Sequence, residues 1–184
     1  ETDRAVSELA RRMGGIDVLV NNAGVITVGP FADMDLDDFR HHMDSIFYAN
    51  LHATLAALSF LRRARTPRIV NITSIGARIS VPHLLPYSSA KFAVVGLSEG
   101  LQAELAREGI RVTTVTPGLM RTGSPFQARF RGRQEQEFRW FLLLDSLPGL
   151  SISSRRAARQ IVNASRKGQA SLIMPAFIRL PIAA

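Results

Sequence analysis

The sequence contains no cysteine in its 184 residues. Disulfide bonds, thiolate nucleophiles and cysteine-ligated zinc are therefore excluded. No apolar run reaches the roughly 20 residues of a membrane-spanning helix, and the charged start, ETDRAVSELARRM, does not resemble a signal peptide. Together with a hydrophobic content of 46%, these absences predict a soluble, cytoplasmic, globular protein without a membrane partner.

Lysine is also scarce, because only Lys91 and Lys167 accompany the arginines that make up the rest of the 23 basic residues. The net charge is +8. The arginines are spread along the chain, and aromatic residues are not interleaved with them as in proteins that bind single-stranded nucleic acid. We therefore interpret the charge as solvated helix faces and helix ends, and predict no nucleic-acid partner.

Short apolar runs alternate with helical patterns along the chain. The runs that predict strands are 16–22, 68–74, 110–118 and 170–175. The patterns that predict helices are 3–13, 36–64, 87–109 and 154–166. The segment 23–34 is predicted to be a loop, and 119–150 a loop with an irregular helix. Strands that are apolar on both faces and alternate with helices predict an open α/β sheet with parallel pairing.

Polar residues follow three of the predicted strands, where an open parallel sheet binds its ligands. They are NNAG at 21–24, TS at 73–74 and TPGLMRT at 116–122. One helical turn separates Tyr87 from Lys91, so both side chains share a face. An adjacent ammonium lowers the pKa of a phenol from about 10 toward neutrality, which suits proton transfer. A surface pair on an exposed helix is the alternative.

Five motifs occur in one order: N-N-A-G, Asn50 in a helix, Ser74, Y-x-x-x-K at 87–91, and P-G-x-x-x-T at 117–122. With them the chain resembles the short-chain dehydrogenase/reductase family over nearly its whole length. The resemblance implies a Rossmann-like doubly wound parallel sheet. It also implies an oxidoreductase that uses NAD or NADP on a small carbonyl or alcohol substrate.

The resemblance implies a role for each site residue. Tyr87 is the general acid/base, and Lys91 lowers its pKa and binds the nicotinamide ribose. Ser74 orients the substrate oxygen, and Asn50 holds a water that links Lys91 to solvent. The residues implied to contact the cofactor are Asn21, Ala23, Gly24, Tyr87, Lys91, Pro117, Gly118 and Thr122. The first three also brace the central sheet, and no metal is implied.

The family pattern normally begins upstream of residue 1, with a strand and the glycine-rich turn T-G-x-x-x-G-x-G. This turn is absent from the sequence. The resemblance therefore implies an N-terminally truncated member, in which residues 1–184 form the single C-terminal portion of the domain. We expect an open apolar edge at 16–22 and weak cofactor binding by this chain alone. A non-catalytic scaffold or gene fragment is the alternative.

Several residues keep two interpretations. His83 lies between Ser74 and Tyr87 and is a candidate substrate contact, whereas His41, His42 and His52 are interpreted as ordinary helix residues. The segment 119–150 corresponds to the substrate lid of the family. Its aromatic residues favour an apolar substrate or core packing, and three arginines are alternative contacts for an anion: Arg121, Arg129 and Arg133.

The helices at 36–64 and 87–107 correspond to the pair that forms dimers in similar proteins. The first is rich in alanine and leucine. We therefore predict a homodimer or homotetramer that assembles through these two helices.

Overall fold

A computed structural model describes residues 1–146 and 151–175, without the side chains of residues 144–146. Residues 147–150 of the predicted lid and the terminal residues 176–184 lie outside the described residues. The first half contains α1 (Thr2–Met13), β1 (Val18–Asn21), β2 (Thr27–Val28), α2 (Leu36–His42), α3 (Ala49–Leu61) and β3 (Arg68–Ile72). The second half contains α4 (Leu85–Leu105), β4 (Arg111–Pro117), β5 (Met120–Arg121), β6 (Arg129–Phe130), α5 (Gln134–Ser146), β7 (Ile152–Ser153), α6 (Ser154–Arg166) and β8 (Ser171–Met174).

The main sheet has four parallel strands in the order β1-β3-β4-β8. Val20 is paired with Val70, and Val115 lies beside Leu172. The predicted parallel α/β sheet is thus confirmed. Two additional ladders, β2 with β6 and β5 with β7, lie where no strand was predicted. Each of these strands has two residues, too short for an alternating pattern to appear in the sequence.

Helices cover both faces of the main sheet, as in a doubly wound fold. On one face, Ile69 and Val112 pack against residues of α3 and α4 that include Leu61 and Leu105. On the other face, apolar residues of β3, β4 and β8 pack against Ala157, Ala164 and Ile161 of α6. The central strands β3 and β4 are therefore buried on both faces, which explains their apolar composition.

The prediction that the first strand is buried on both faces is wrong. Val18 and Val20 of β1 are 49% and 54% exposed, whereas Leu19 packs into the core of the opposite face. Among the residues that the structure describes, no element covers the outer face of β1. Within residues 1–146 and 151–175, β1 pairs with β3 alone, so its other edge is open there.

The predicted helix at 36–64 begins as expected but is not one α-helix. Asp35 caps α2, since its carboxylate accepts from the Asp38 N–H in a capping box. A π-helical turn at Met43–Tyr48 separates α2 from α3. Within it, the Ser45 hydroxyl donates to the His41 carbonyl, a side-chain bond that competes with the regular backbone pattern. Such turns occur often near functional sites.

The remaining helices end close to their predicted residues. The chain leaves α1 at Gly14, with a φ of 79°, and ends the turn after α4 at Gly109, with a φ of 76°. Glycine adopts this left-handed conformation without steric cost. No helix in the described ranges is both long and apolar enough to span a membrane.

Candidate active site

The carboxyl ends of β1, β3 and β4 face one cavity of about 380 Å³. Loop residues after each strand line this cavity, together with two side chains of α4. The predicted site residues in its lining are Gly24, Ser74, Tyr87, Lys91, Pro117, Gly118 and Thr122. The structure therefore brings together seven residues that are far apart in the sequence.

Ser74 and Tyr87 meet beside a glycine. Ser74 caps a short 3₁₀ turn, in which its hydroxyl accepts from the Gly76 N–H at 3.1 Å. A Cβ atom on Gly76 would lie 3.5 Å from the Ser74 Oγ and 3.6 Å from the Tyr87 Cε1. Burial raises the pKa of Tyr87 above its ordinary value, although a hydrogen bond with the Ser74 side chain opposes the shift.

Lys91 is buried one helical turn beyond Tyr87. Its side chain Nζ donates to the Ile72 carbonyl at 2.8 Å and lies 5.7 Å from the centre of the Tyr87 ring. Burial lowers the pKa of Lys91 to about 8. Burial is the largest cause of both shifts, and it opposes the charged form of each group. That Lys91 lowers the pKa of Tyr87 stays a prediction.

Asn21 and Asn50 meet in the interior, beneath the cavity. The Asn21 Nδ2 lies 3.1 Å from the Asn50 Oδ1, 3.1 Å from the Thr54 Oγ1 and 2.9 Å from the Asn71 Oδ1. One amide nitrogen has two hydrogens, so two of these acceptors are served at a time. Asn21 thus connects β1 to β3 and α3, which agrees with its predicted bracing of the sheet.

A polar chain that was not predicted continues from Asn71 across the sheet. The Asn71 Nδ2 donates to the Ser98 Oγ at 2.9 Å, and Ser98 is 2.7 Å from the Thr114 Oγ1. All three residues are almost completely buried. The signal was present in the sequence, because Asn71 is a polar residue inside a strand that was predicted to be buried on both faces.

Three predicted residues lie outside the described lining of the cavity. Asn21 and Asn50 are directed toward each other, and Ala23 is exposed in the loop between Asn22 and Gly24. Asn22, which was not predicted to contact the cofactor, lines the cavity instead. In the motif at the end of β1, Asn21 therefore lies in the interior, whereas Asn22 and Gly24 line the cavity.

His83 is turned away from the cavity, although it is close in sequence to Tyr87. Its backbone has a left-handed φ of 67°, and its carbonyl accepts from the Gly29 N–H. The imidazole Nδ1 is 2.7 Å from the Glu137 Oε2, and the ring lies 5.6 Å from that of Trp140. His83 thus contacts α5, and its neighbours Val81 and Leu84 line the cavity.

The surroundings of Lys91 fit the ribose end of a nicotinamide cofactor. An ammonium has three N–H donors, and the described hydrogen bond to Ile72 uses one of them. A Cβ atom at Gly24 would lie 3.8 Å from the Lys91 Nζ, so the glycine leaves space beside this donor. The site combines a cation, an open backbone and polar loop residues, which suits a hydroxylated ligand.

A second cavity, of about 420 Å³, lies at the opposite end of β1. Its lining includes Arg11, Arg63 and Arg65 near the carboxyl ends of α1 and α3, where cations complement the helix dipoles. It has no group suited to proton transfer near neutral pH. In residues 1–146 and 151–175, no group of three histidine, aspartate or glutamate side chains is arranged to hold a metal.

Comparison with protein families gives one match that covers most of the chain. The family model described as short chain dehydrogenase matches residues 1–130. Among solved structures, a short-chain dehydrogenase from Streptomyces avermitilis superimposes with a TM-score of 0.82 at 28% identity. That superposition covers 99% of this chain and 69% of the other.

Two curated relatives match about two thirds of this chain. The uncharacterized oxidoreductase YohF of Escherichia coli K12 is 38% identical over 122 residues, which are 64% of this chain and 47% of the relative. The L-2,3-butanediol dehydrogenase of Corynebacterium glutamicum is 35% identical over 122 residues, or 66% of this chain and 47% of the relative. The chain therefore spans about half the length of the curated relatives that it matches.

Proposed function

Because the chain belongs to the short-chain dehydrogenase family, we propose that it interconverts a carbonyl compound and its alcohol with NAD or NADP. The observation that carries this proposal is the meeting of Ser74, Tyr87 and Lys91 in one cavity at the strand ends. The Corynebacterium relative is named for the oxidation of an alcohol. A non-catalytic scaffold is not favoured, since both curated relatives described above are named as oxidoreductases or dehydrogenases.

In the reduction, two hydroxyl groups act on the carbonyl oxygen. Ser74 donates a hydrogen bond that polarises the carbonyl, and Tyr87 transfers its proton to the oxygen as negative charge develops there. A phenol with a raised pKa is protonated at neutral pH, so it is ready to act as an acid. The nicotinamide, when bound, supplies the hydride for the carbonyl carbon.

Lys91 supports the same step from its position one helical turn beyond Tyr87 on α4. Its ammonium hydrogen-bonds a ribose hydroxyl of the cofactor and stabilises the phenolate that remains after proton transfer. Asn50 holds a water through which Lys91 exchanges protons with solvent. Asn22, Gly24, Pro117, Gly118 and Thr122 border the cofactor.

The larger assembly belongs to the same proposal. Residues 1–184 form one structural unit, and the segment 119–150 covers the substrate. Subunits associate as a homodimer or homotetramer through the helices at 36–64 and 87–107. A cytoplasmic location stays a prediction from composition.

Tyr87→Phe tests the proposal, with reduction of carbonyl compounds by the complete gene product as the assay. We expect kcat to fall by about 10³-fold, because the proton donor is lost. Cofactor affinity, measured by the fluorescence of the reduced nicotinamide, is expected to change less than about threefold. Tyr48→Phe is the matched control, since it removes the other tyrosine and leaves the cavity intact. Turnover retained in Tyr87→Phe would remove Tyr87 from this role.

A further inference from the structure

One wall of the cavity is apolar. It is formed by side chains from four separate segments: Ile26, Val81, Leu84, Met120 and Phe141. Four of these also belong to a single hydrophobic cluster with Val28. In the described lining, Lys91 and Tyr87 are the titratable side chains, and Lys91 already donates to a backbone carbonyl.

The nearby arginines are directed elsewhere. Arg121 donates to the carbonyl and hydroxyl of Ser151, and Arg129 and Arg133 are exposed outside the described lining. Arg131 is bound to Asp38 at 2.9 Å. An anionic substrate group would therefore lose water at the apolar wall without gaining a guanidinium partner, which is unfavourable. The alternative of an anionic substrate has no support in this arrangement.

Helix α5 covers the apolar wall and is called its roof here; one side-chain contact, between Glu137 and His83, anchors it. Glu137, Trp140 and Phe141 share a face of α5, because they are three and four residues apart. The Glu137 side chain is 9% exposed and lies 2.7 Å from the His83 Nδ1. Trp140 packs against the His83 ring, and Phe141 reaches the cavity. The loop before Tyr87 thus holds the helix that carries Phe141.

The contact between His83 and Glu137 forms although the backbone of His83 is in an unfavourable conformation. A left-handed backbone is unfavourable for histidine, and the buried carboxylate of Glu137 requires a partner. Each residue compensates for the other, since the turned backbone of His83 directs the imidazole toward Glu137. The pair is therefore suited to position the roof.

We propose that the cavity takes an uncharged ketone, or its secondary alcohol, with an apolar flank against this wall, and that His83 and Glu137 position the roof over that flank. The proposal rests on the oxidoreductase function proposed above. His83 and Glu137 act through Phe141 and are positioning residues.

Matched pairs of ketones test the substrate class in the complete gene product with NADH and NADPH. Each pair contains a neutral ester and its carboxylate: methyl 4-acetylbenzoate with 4-acetylbenzoate, and methyl levulinate with levulinate. We expect kcat/KM to be at least about tenfold higher for the esters, because a carboxylate is not hydrated or paired at the wall. Equal or better use of the carboxylates overturns the class and leaves the oxidoreductase function intact. Failure of all four compounds with both cofactors overturns both proposals.

Gln127 offers a way to reverse this preference, since it lines the cavity and is exposed. Gln127→Arg is expected to raise kcat/KM for the carboxylates about fivefold or more by supplying a charged partner. Gln127→Met is the matched control of similar length and is expected to leave the carboxylates unchanged. An equal response of the two variants contradicts the explanation by charge.

Glu137→Ala tests the roof. We expect KM for the preferred ketone to rise about tenfold while kcat changes less than about twofold, since the reacting groups are untouched. Glu137→Gln keeps a hydrogen bond to His83 and is expected to recover most of the affinity. Glu135→Ala is the control, because Glu135 pairs with Arg139 on the exposed side of the same helix.

Trp140 reports on the roof without any substrate, because it is the single tryptophan in the sequence. Acrylamide is expected to quench the Trp140 fluorescence more strongly in Glu137→Ala than in the wild type. In Glu135→Ala the extent of quenching is expected to equal that of the wild type. If Glu137→Ala behaves as Glu135→Ala in both quenching and KM, the positioning role is overturned. The quenching result does not depend on turnover, so it is separate from the test of the enzymatic function.

Discussion

Lys91 is a charged residue in a buried position, with 5% of its surface exposed. Its pKa falls from an ordinary value of 10.5 to about 8, which corresponds to about 3 kcal/mol against the protonated form. The unfolded chain binds this proton more tightly than the folded chain. Stability therefore rises with pH between about 8 and 10.5, and the full cost is present below pH 8.

Lys91→Met is expected to stabilise the chain while it abolishes turnover. At pH 7 the free energy of unfolding should increase by about 1–2 kcal/mol, because removal of the buried charge outweighs the lost bond to the Ile72 carbonyl. Urea denaturation at pH 7 and pH 10 measures both effects. The difference between variant and wild type should shrink at pH 10. A variant less stable than the wild type at pH 7 would contradict the assigned cost.

The sequence predicted the neighbours of Tyr87 but not its ionisation. Spacing along a helix indicates that Tyr87 and Lys91 share a face, and the order of motifs indicates that Ser74 joins them. The direction of the Tyr87 pKa depends on how much water the fold removes. Distant segments, such as the loop at Gly24 and the strand end at Ile72, determine that burial, and no local pattern contains this information.

At the scale of elements, His42 joins α2 to β2. Its side chain is fully buried, with Nδ1 2.7 Å from the Asp38 carbonyl and Nε2 accepting from the Thr27 N–H at 3.1 Å. These bonds require the neutral ring with its hydrogen on Nδ1. Burial lowers the pKa of His42, and the charges of His41 and Arg129 act in the same direction.

Replacement of His42 is expected to flatten part of the pH dependence of stability. Below pH 6.5 the unfolded chain binds a proton that the folded chain resists, so the stability of the wild type falls as the pH falls. His42→Gln should cost about 1–3 kcal/mol at pH 7 through the lost hydrogen bonds, and less at pH 5. The unfolding free energy of the wild type minus that of His42→Gln, measured at both pH values, isolates the contribution of this residue. If this difference does not change with pH, His42 is not the source of the pH dependence of stability.

The boundaries of most elements followed from local signals, and the interruption of the second helix did not. Asp35 begins α2 as its N-cap, and Gly109 ends the turn after α4, so both boundaries are indicated by the residue type alone. The π-helical turn at Met43–Tyr48 depends instead on a competition between the Ser45 hydroxyl and the backbone. Serine occurs in many regular helices, so this residue alone does not predict the turn.

At the scale of the whole molecule, two sets of exposed apolar residues in the described chain bear on association. Leu55 and Phe92 are 59% and 44% exposed on α3 and α4, and Val20 is 54% exposed on β1. The first set belongs to the predicted subunit contact. The second lies on the apolar face beside the open strand edge, which favours nonspecific association.

Leu55→Glu is expected to shift the chain to a smaller species in sedimentation velocity experiments, because a buried carboxylate at the helix contact lacks a partner. Val162→Glu serves as the control, because Val162 is 49% exposed on α6, outside the two helices of the predicted contact. An unchanged sedimentation coefficient for Leu55→Glu would place the subunit contact elsewhere.

Val20→Lys is expected to reduce aggregation without a change in the specific oligomer. A charge on an open edge disfavours pairing between strands of separate molecules. Light scattering measures aggregation during incubation at roughly physiological temperature, about 37 °C. Sedimentation velocity measures the size of the oligomer. Equal scattering by variant and wild type would show that this edge is not the surface involved.

The parallel pairing of the main strands followed from the alternation of strands and helices, because parallel neighbours are joined by right-handed crossovers. The open edge of β1 followed from the family resemblance, whereas its exposed face did not, since the strand was predicted to be buried on both faces. The placement of α5 did not, since the contact between His83 and Glu137 joins residues 54 positions apart and depends on a backbone conformation that histidine adopts rarely.

The strands of the main sheet are not anchored equally. Both β3 and β4 lie between two neighbours, whereas β1 has one neighbour in the described chain and one covered face. Local opening therefore starts at β1 and proceeds inward. Asn22 and Gly24 follow this strand and form one rim of the cavity. A ligand bound to that rim is expected to stabilise β1, the strand at which opening starts. Its binding should therefore slow amide exchange in β1 first.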